Sequence, residues 1–227
     1  MTANDPDAPP VDTRVVETVS LERRDLDRVH QLFDLSYRQA NHAYLEKSFT
    51  KLRYVALADV SEKLVGFAVA DTVETLLPRL VEPQIVTLAG ICCVDEAYRR
   101  VGLFKKLEIL AAGASGILHS GKRVLMCGRM AHPVSFRTMR GFPSVIPKAG
   151  VELSDWHKEM GLSVAELYGS TLDPATLVVV GNGTPIGYPN LDYEVAEEEW
   201  VPFRAVNRDR GDALLGIFWF PDAPEGW

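Results

Sequence analysis

The chain lacks a long apolar run. Among its 227 residues, no stretch approaches the ~20 consecutive apolar positions that a membrane-spanning helix requires, so a helical membrane protein is excluded. Cysteine is scarce. The 3 cysteines, two of them adjacent at Cys92 and Cys93, offer neither a disulfide framework nor a metal-ligand spacing. No metal is therefore expected, and a reducing cytoplasm is the expected setting. An excess of positive charge is missing too. A formal net charge of −7 leaves no basic footprint for general nucleic-acid binding. Met1 to Asp12 is small, polar and proline-bearing. It has no apolar core of the kind a secretion signal carries, and residues 1–13 read as a disordered tail. Internal repeats are absent.

What is present is enough apolar material for a folded core. Hydrophobic residues make up 47% of the chain, which fits one large domain or a domain with a substantial extension. The charge is uneven. Residues 151–227 hold 4 Lys or Arg against 14 Asp or Glu, a net −10, and the remainder is net +3. Residues 14–150 are thus the part better suited to a phosphate-rich ligand, and 151–227 form an acidic extension.

Local patterns give an order of elements. Arg14–Val19 is β-branched and predicts a first strand, with Ser20 placed to cap a helix running to about Ala40. A short helix is expected over Asn41–Phe49. Tyr54–Val60 and Leu64–Val73 read as a hairpin around Ser61-Glu62-Lys63. A long strand is predicted at Gln84–Val94. A helix follows whose apolar face is Leu103, Leu107, Leu110, Ala111 and Ala114, with Lys105, Lys106 and Glu108 outside. A strand at Val124–Met130 and a short helix over Pro133–Arg140 complete this part. The extension adds strands at Thr176–Val180 and Ala213–Phe220, separated by dense turn signals. The fold class is α/β, with a mixed, mostly antiparallel central sheet flanked by helices and a β-containing C-terminal extension.

The most informative run is Val94 to Leu107, which joins a strand to a helix. Such a junction exposes unpaired N–H groups and the positive end of a helix dipole to an anion. Its residues, Val94, Tyr98, Arg99 and Gly102 in this spacing, resemble the acyl-CoA loop of the GNAT superfamily of N-acetyltransferases. Phe104 stands where that motif usually has Gly or Ala, and Glu96 where its lead-in usually has Pro. The resemblance spans Arg14 to about Phe142 and implies acetyl-CoA or another acyl-CoA as co-substrate. It implies that the backbone of Cys92 and Val94 pairs with the pantetheine arm. Arg99, Arg100, Val101, Gly102, Leu103 and Phe104 would hold the phosphates, Gly102 by allowing close backbone approach, and Arg137 would touch a CoA phosphate.

Acyl transfer to an amine requires positioning, proton removal, an oxyanion donor and protonation of the thiolate. The family often supplies a carboxylate base on the strand before the loop, but no acid lies between Glu82 and Asp95. It often supplies a tyrosine acid where this chain has Arg137, and no tyrosine lies between Tyr98 and Tyr168. The amine is therefore expected to arrive neutral or to lose its proton to water. His132, at the entry to the short helix, is the candidate catalytic residue; a capping role is the alternative. Cys92 and Cys93 invite a covalent mechanism but also fit as buried strand residues. Asp71 and Glu74 are placed to face an amine or to be solvated strand ends. The acidic run Glu194–Glu199 suits a cationic substrate or a solvated surface.

The expected activity is transfer of an acyl group from acyl-CoA to a small-molecule or peptide amine by direct attack in a ternary complex. An acyl-CoA-binding module without turnover, or a structural subunit, is the alternative. The apolar run Leu214 to Phe220 must be covered, either by closing the acceptor cleft or by exchange with a second copy in a homodimer.

Overall fold

The computed structural model describes residues 10–118 and 121–227. The tail expected over 1–13 lies mostly outside them, and strand β1 (Asp12–Glu17) already occupies its last two positions. Helix α1 (Arg23–Ser36), β2 (Tyr37–Arg38), α2 (His42–Phe49), β3 (Tyr54–Val60), β4 (Lys63–Thr75) and β5 (Gln84–Val94) follow. Then come α3 (Leu103–Gly113), β6 (Val124–Met130), α4 (Pro133–Phe136) and α5 (Asp155–Leu167). The chain ends with β7 (Leu172–Asp173), β8 (Val178–Val179), β9 (Tyr188–Pro189) and β10 (Ala213–Phe220). The fold is mixed α/β, with a mostly antiparallel central sheet flanked by helices.

Two compact units divide the chain. The first comprises residues up to Asp71, Ala89–Gly116 and Ile186–Leu191; the second comprises Thr72–Leu88, Ile117–Pro185 and Asp192–Trp227. Strand β4 leaves the first unit at Asp71, and β5 returns to it at Ala89.

In the first unit the strand order is β1-β3-β4-β5. Strand β3 pairs antiparallel with β1 (Asp12↔Asp59 to Glu17↔Tyr54) and with β4. Val55, Ala56, Leu57 and Ala58 are all fully buried, because β3 has neighbours on both edges and layers on both faces, so alternation of polar and apolar residues is lost. Ser61 and Glu62 both take positive φ, 46° and 66°, giving the two-residue turn that matches strand twist. Helix α3 packs on β3 and lies so close to β4 that a Cβ on Gly66 of β4 would be 2.7 Å from Leu107 Cδ1. Helix α1 begins at Arg23 rather than after Ser20, which closes a one-turn helix, and stops at Ser36 because Tyr37 turns extended. Asp25 on α1 is buried against Arg14 (2.7 Å) and Arg28 (3.1 Å), which fixes that helix to β1.

In the second unit the order is β6-β10-β8-β7. Strand β10 pairs with β6 along its length, from Leu214↔Met130 to Phe220↔Val124. Its apolar run is covered here by Met130, Phe136, Met139, Val145 and Phe203, which form one buried cluster with Leu214 and Phe218. Helix α4 is shorter than expected, ending at Phe136, and β8 is only Val178–Val179. The extension also holds a helix, α5, in a stretch to which the sequence patterns above assign no element. Ser154 starts it with a reciprocal cap, its Oγ accepting from His157 N at 3.1 Å while Ser154 N donates to His157 Nδ1 at 3.2 Å. Trp156, Met160 and Val164 are buried at helical spacing. Asp212 closes the start of β10. Its side chain is 0% exposed and accepts from Gly181 N, Asn207 N and the Arg210 guanidinium at 2.6 to 3.0 Å.

Candidate functional site

In the first unit, β5 runs out into the loop at Asp95. Asp95 N donates to Val65 O (2.8 Å), and Asp95 Oδ1 caps a single helical turn over Glu96–Tyr98 through Ala97 N (3.0 Å). Lys63 Nζ reaches the other oxygen at 2.6 Å, so this carboxylate adds no net repulsion for an arriving anion. The chain then makes two left-handed residues. Arg100 has φ 68°, a strained conformation for a residue with a side chain, and Gly102 has φ 81° and ψ 0°. Turn backbone with left-handed residues can bring successive N–H groups to face one anion.

Gly102 is also the N-cap of α3, and no side chain caps that helix. A Cβ built on Gly102 would meet nothing within 4 Å. The first turn of an 11-residue helix therefore presents orphan N–H groups, with the dipole's positive end, to an open approach. Leu103 is buried and anchors the turn from below, while Phe104 is half-buried. Val101, Arg100, Lys105 and Lys106 are exposed around the turn.

Arg99 is used differently from its neighbours. Its Nε donates to Val94 O (3.1 Å) and its Nη1 to Asn190 O (3.1 Å). The guanidinium is turned back onto backbone carbonyls, and one of those is the Val94 oxygen expected to face pantetheine. Cys92 is half-buried; Cys93 is 3% exposed. Burial pushes the Cys93 thiol up to about 12, against the opposing pull of Ser36 and Arg99. Burial, then Glu108 and Cys93, push Cys92 well above the ordinary thiol value. Both stay protonated near neutrality, which disfavours either as a nucleophile.

Helical spacing puts Glu108 on the solvent side of α3, but the packed unit half-buries it, and burial raises its carboxyl from 4.5 to about 7. Its charge is felt by Cys92 on β5. This is a carboxyl that changes protonation near neutral pH, within the unit that carries the loop. Sequence spacing carries no signal for it, because Glu108 falls with Lys105 and Lys106 outside the face made by Leu103, Leu107 and Leu110. Tyr37, at the end of α1, is held protonated by burial, with Cys93, Cys92 and Tyr44 acting in the same direction. Asp71, a candidate for facing an amine, is buried and gripped by Arg53 Nε at 3.0 and 2.9 Å.

His132 and Arg137 belong to the second unit. His132 is the N-cap of α4, and its Nδ1 accepts from Val134 N at 3.2 Å. That bond assigns the remaining ring proton to Nε2. The ring meets the edge of Trp200 at 5.2 Å between centroids. Burial, then Arg208 and Arg137, lower its pKa, so the imidazole is neutral at pH 7. What it offers outward is an N–H donor rather than a proton acceptor. Arg137 is engaged by the extension. Its Nε and Nη2 hold Glu199 at 2.8 and 2.6 Å, and Nη2 also donates to Glu194 O at 2.7 Å. Arg140 grips the same carboxylate. Within the acidic run, Glu199 is therefore neutralised, while Glu197 and Glu198 are exposed. Glu74 lies 3.8 Å from Lys122.

Among the described residues, no group of three or more His, Cys, Asp or Glu is placed to hold a metal ion, and no helix is long and apolar enough to cross a membrane. No protein-family model and no curated protein matches the chain. Solved structures do show likenesses. One is to a ribosomal-protein-alanine N-acetyltransferase from Brucella melitensis biovar Abortus 2308, at 22% identity over 47% of this chain and 73% of that one, with a TM-score of 0.34. A second is to the GNAT family N-acetyltransferase YhbS from Escherichia coli in complex with CoA, at 18% identity, 59% and 69% coverage and a TM-score of 0.38. A third is to the aminoglycoside N-acetyltransferase AAC(6')-Iy in complex with CoA, at 16% identity, 59% and 86% coverage and a TM-score of 0.41.

Proposed function

We propose that this protein is a GNAT-type acyltransferase that moves an acetyl or other acyl group from acyl-CoA to an amine. The observation that carries the reading is the loop Arg99–Gly102 with the uncapped start of α3. Its left-handed Arg100 and Gly102, its open approach and its exposed cationic neighbours suit a pyrophosphate. Acyl-CoA would supply an already activated thioester. The protein's part is then to hold the two substrates and to manage one proton. For uptake of the ammonium proton we propose Glu108, which lies on the helix that Gly102 starts and acts on Cys92 of β5, its carboxyl raised by burial to about 7. The acceptor is a small-molecule or peptide amine.

Calorimetric titration of CoA against wild type, Gly102→Asn and Gly102→Glu tests the site. Asn tolerates the left-handed conformation, so it adds a Cβ with little strain. Glu adds a Cβ and a negative charge. Affinity should fall at least about tenfold for Glu, or roughly 1.4 kcal/mol, and by less for Asn, while both proteins stay folded. Equal affinities across the three would remove the loop from the site. Thiol release from acetyl-CoA over an amine panel then separates an enzyme from a binding module that does not turn over. With Glu108 as base, the pH–rate profile bends near 7 for every acceptor, and Glu108→Gln abolishes the bend. A rate that tracks each acceptor's own amine pKa would return that proton to water.

A further inference from the structure

We infer that Ile186–Leu191 is a strap that positions the Arg99–Gly102 loop, with Arg99 as the positioning residue that joins the two. The functional meaning of the strap rests on the proposed CoA site; its mechanical meaning does not. The strap comes from the C-terminal part of the chain but belongs to the first unit. It is fastened by backbone at both ends. Asn41 N donates to Ile186 O (3.0 Å), and Asn190 N donates to Ser36 O (2.8 Å). Between them, Tyr37 pairs with Pro189 and Arg38 with Tyr188 in a two-stranded ladder. Asn190 Nδ2 adds a bond to Leu35 O at 3.2 Å.

The approach at Gly187 is close and specific. Its φ is 121°, and a Cβ there would lie 3.0 Å from the carbonyl oxygens of both Arg38 and Gln39. Only glycine lets the strap seat at this distance. Seated, the strap turns Asn190 O toward Arg99 Nη1 (3.1 Å), while Arg99 Nε holds Val94 O (3.1 Å). One planar side chain thus spans the strap and the last residue of β5. The next residue, Arg100, is the strained left-handed one at φ 68°. Strain of this kind persists only where its surroundings over-determine it, and Arg99 is the anchored residue immediately before it. Two of the five guanidinium N–H donors are given to these carbonyls, and through them Arg99 holds the loop in place.

Hydrogen exchange on the full-length chain without ligand tests the strap, and CoA titration tests its consequence. In Gly187→Ala, exchange should rise at least about tenfold in peptides covering 186–191 and 95–104, with 55–60 unchanged. In Arg99→Met it should rise in 95–104 alone. Arg99→Gln keeps a donor for Val94 O without the charge, and should preserve more loop protection than Met. CoA affinity should weaken at least tenfold in Gly187→Ala. If the strap loosens in Gly187→Ala while 95–104 keeps its protection, the inference fails. Should that variant not fold, Arg99→Met decides: unchanged exchange in 95–104 overturns it. An Arg99→Gln protein that keeps loop protection but loses CoA, with a flatter salt dependence, makes Arg99 a phosphate ligand and also overturns it. Wild type that does not bind CoA defeats the proposed function, while the exchange results still decide the strap.

Discussion

Glu108→Gln gives the most quantitative test of the site. In the unfolded chain this carboxyl titrates near its usual 4.5, and in the fold near 7. A raised carboxyl contributes no penalty while it is protonated in both states, below about pH 4.5. Between 4.5 and 7 the unfolded state ionises and the folded state does not, so stability falls as pH rises. Above 7 both states are ionised and the loss is complete. A tenfold change in proton affinity is worth about 1.36 kcal/mol, so the full penalty is about 3 kcal/mol. Water still reaches the half-buried side chain, which trims this toward about 2 kcal/mol. Glutamine keeps the shape and cannot ionise. It shifts stability by an amount independent of pH and removes the pH-dependent part.

The assay is thermal unfolding of wild type and Glu108→Gln from pH 4 to 9. The difference between them should be flat below about pH 4.5, move in favour of Gln up to pH 7, and be flat again above. For a chain of this size 2–3 kcal/mol is roughly 4–12 °C in Tm. A difference that does not vary with pH, or one that opens only above pH 8, would show that burial does not hold this carboxyl near neutrality. Glu108 would then also lose its assignment as the proton acceptor.

Other outcomes follow from the same geometry. Asp212→Ala leaves two backbone N–H groups and the Arg210 guanidinium without their shared acceptor. It should cost about 1–3 kcal/mol in denaturant unfolding, the penalty of unpaired N–H groups, because half-exposed Arg210 regains water; a loss under about 0.5 kcal/mol would mean the turn does not depend on this clasp. Glu199 is held down at about 2, first by the Arg137 hydrogen bond. Its contribution is complete above its usual 4.5 and is lost as pH falls toward 2. The stability advantage of wild type over Glu199→Gln should therefore shrink across that window; an advantage that persists at pH 2 would contradict the pairing. Gly181→Ala would place a Cβ 2.2 Å from Arg210 O and 2.5 Å from Gly211 C, both backbone. It should destabilise by about 1–3 kcal/mol or more, read as a lower melting temperature, and a neutral result would mean the turn has room to shift. A chain ending at Gly150 strips β6 of its partner β10 along the whole ladder. It should aggregate, and a monodisperse, folded product by light scattering would refute that.

How much of this is legible in the sequence divides along the range of the forces involved. Strands β3, β5, β6 and β10 fall where the sequence predicts them, because each is an apolar or β-branched run bounded by local turn signals. The loop is legible for the same reason: Arg99 and Gly102 mark a strand-to-helix junction whatever surrounds it. Helix α5 has its own local signals, in the Ser154 cap and the spacing of Trp156, Met160 and Val164, although the strands and turns of the extension stand out more in the sequence. Partnership is not legible. Arg99, Arg100 and Arg137 carry the same guanidinium, yet Arg99 closes on Val94 and Asn190, and Arg137 on Glu199, 62 positions away. Glu108 looks like any polar residue beside two lysines, and its near-neutral carboxyl arises only because the packed unit takes much of its surface out of water. Local chain stereochemistry and hydrophobic period can be read along one dimension. Desolvation and ion pairing depend on which distant segments arrive at the same place, and only the tertiary structure decides that.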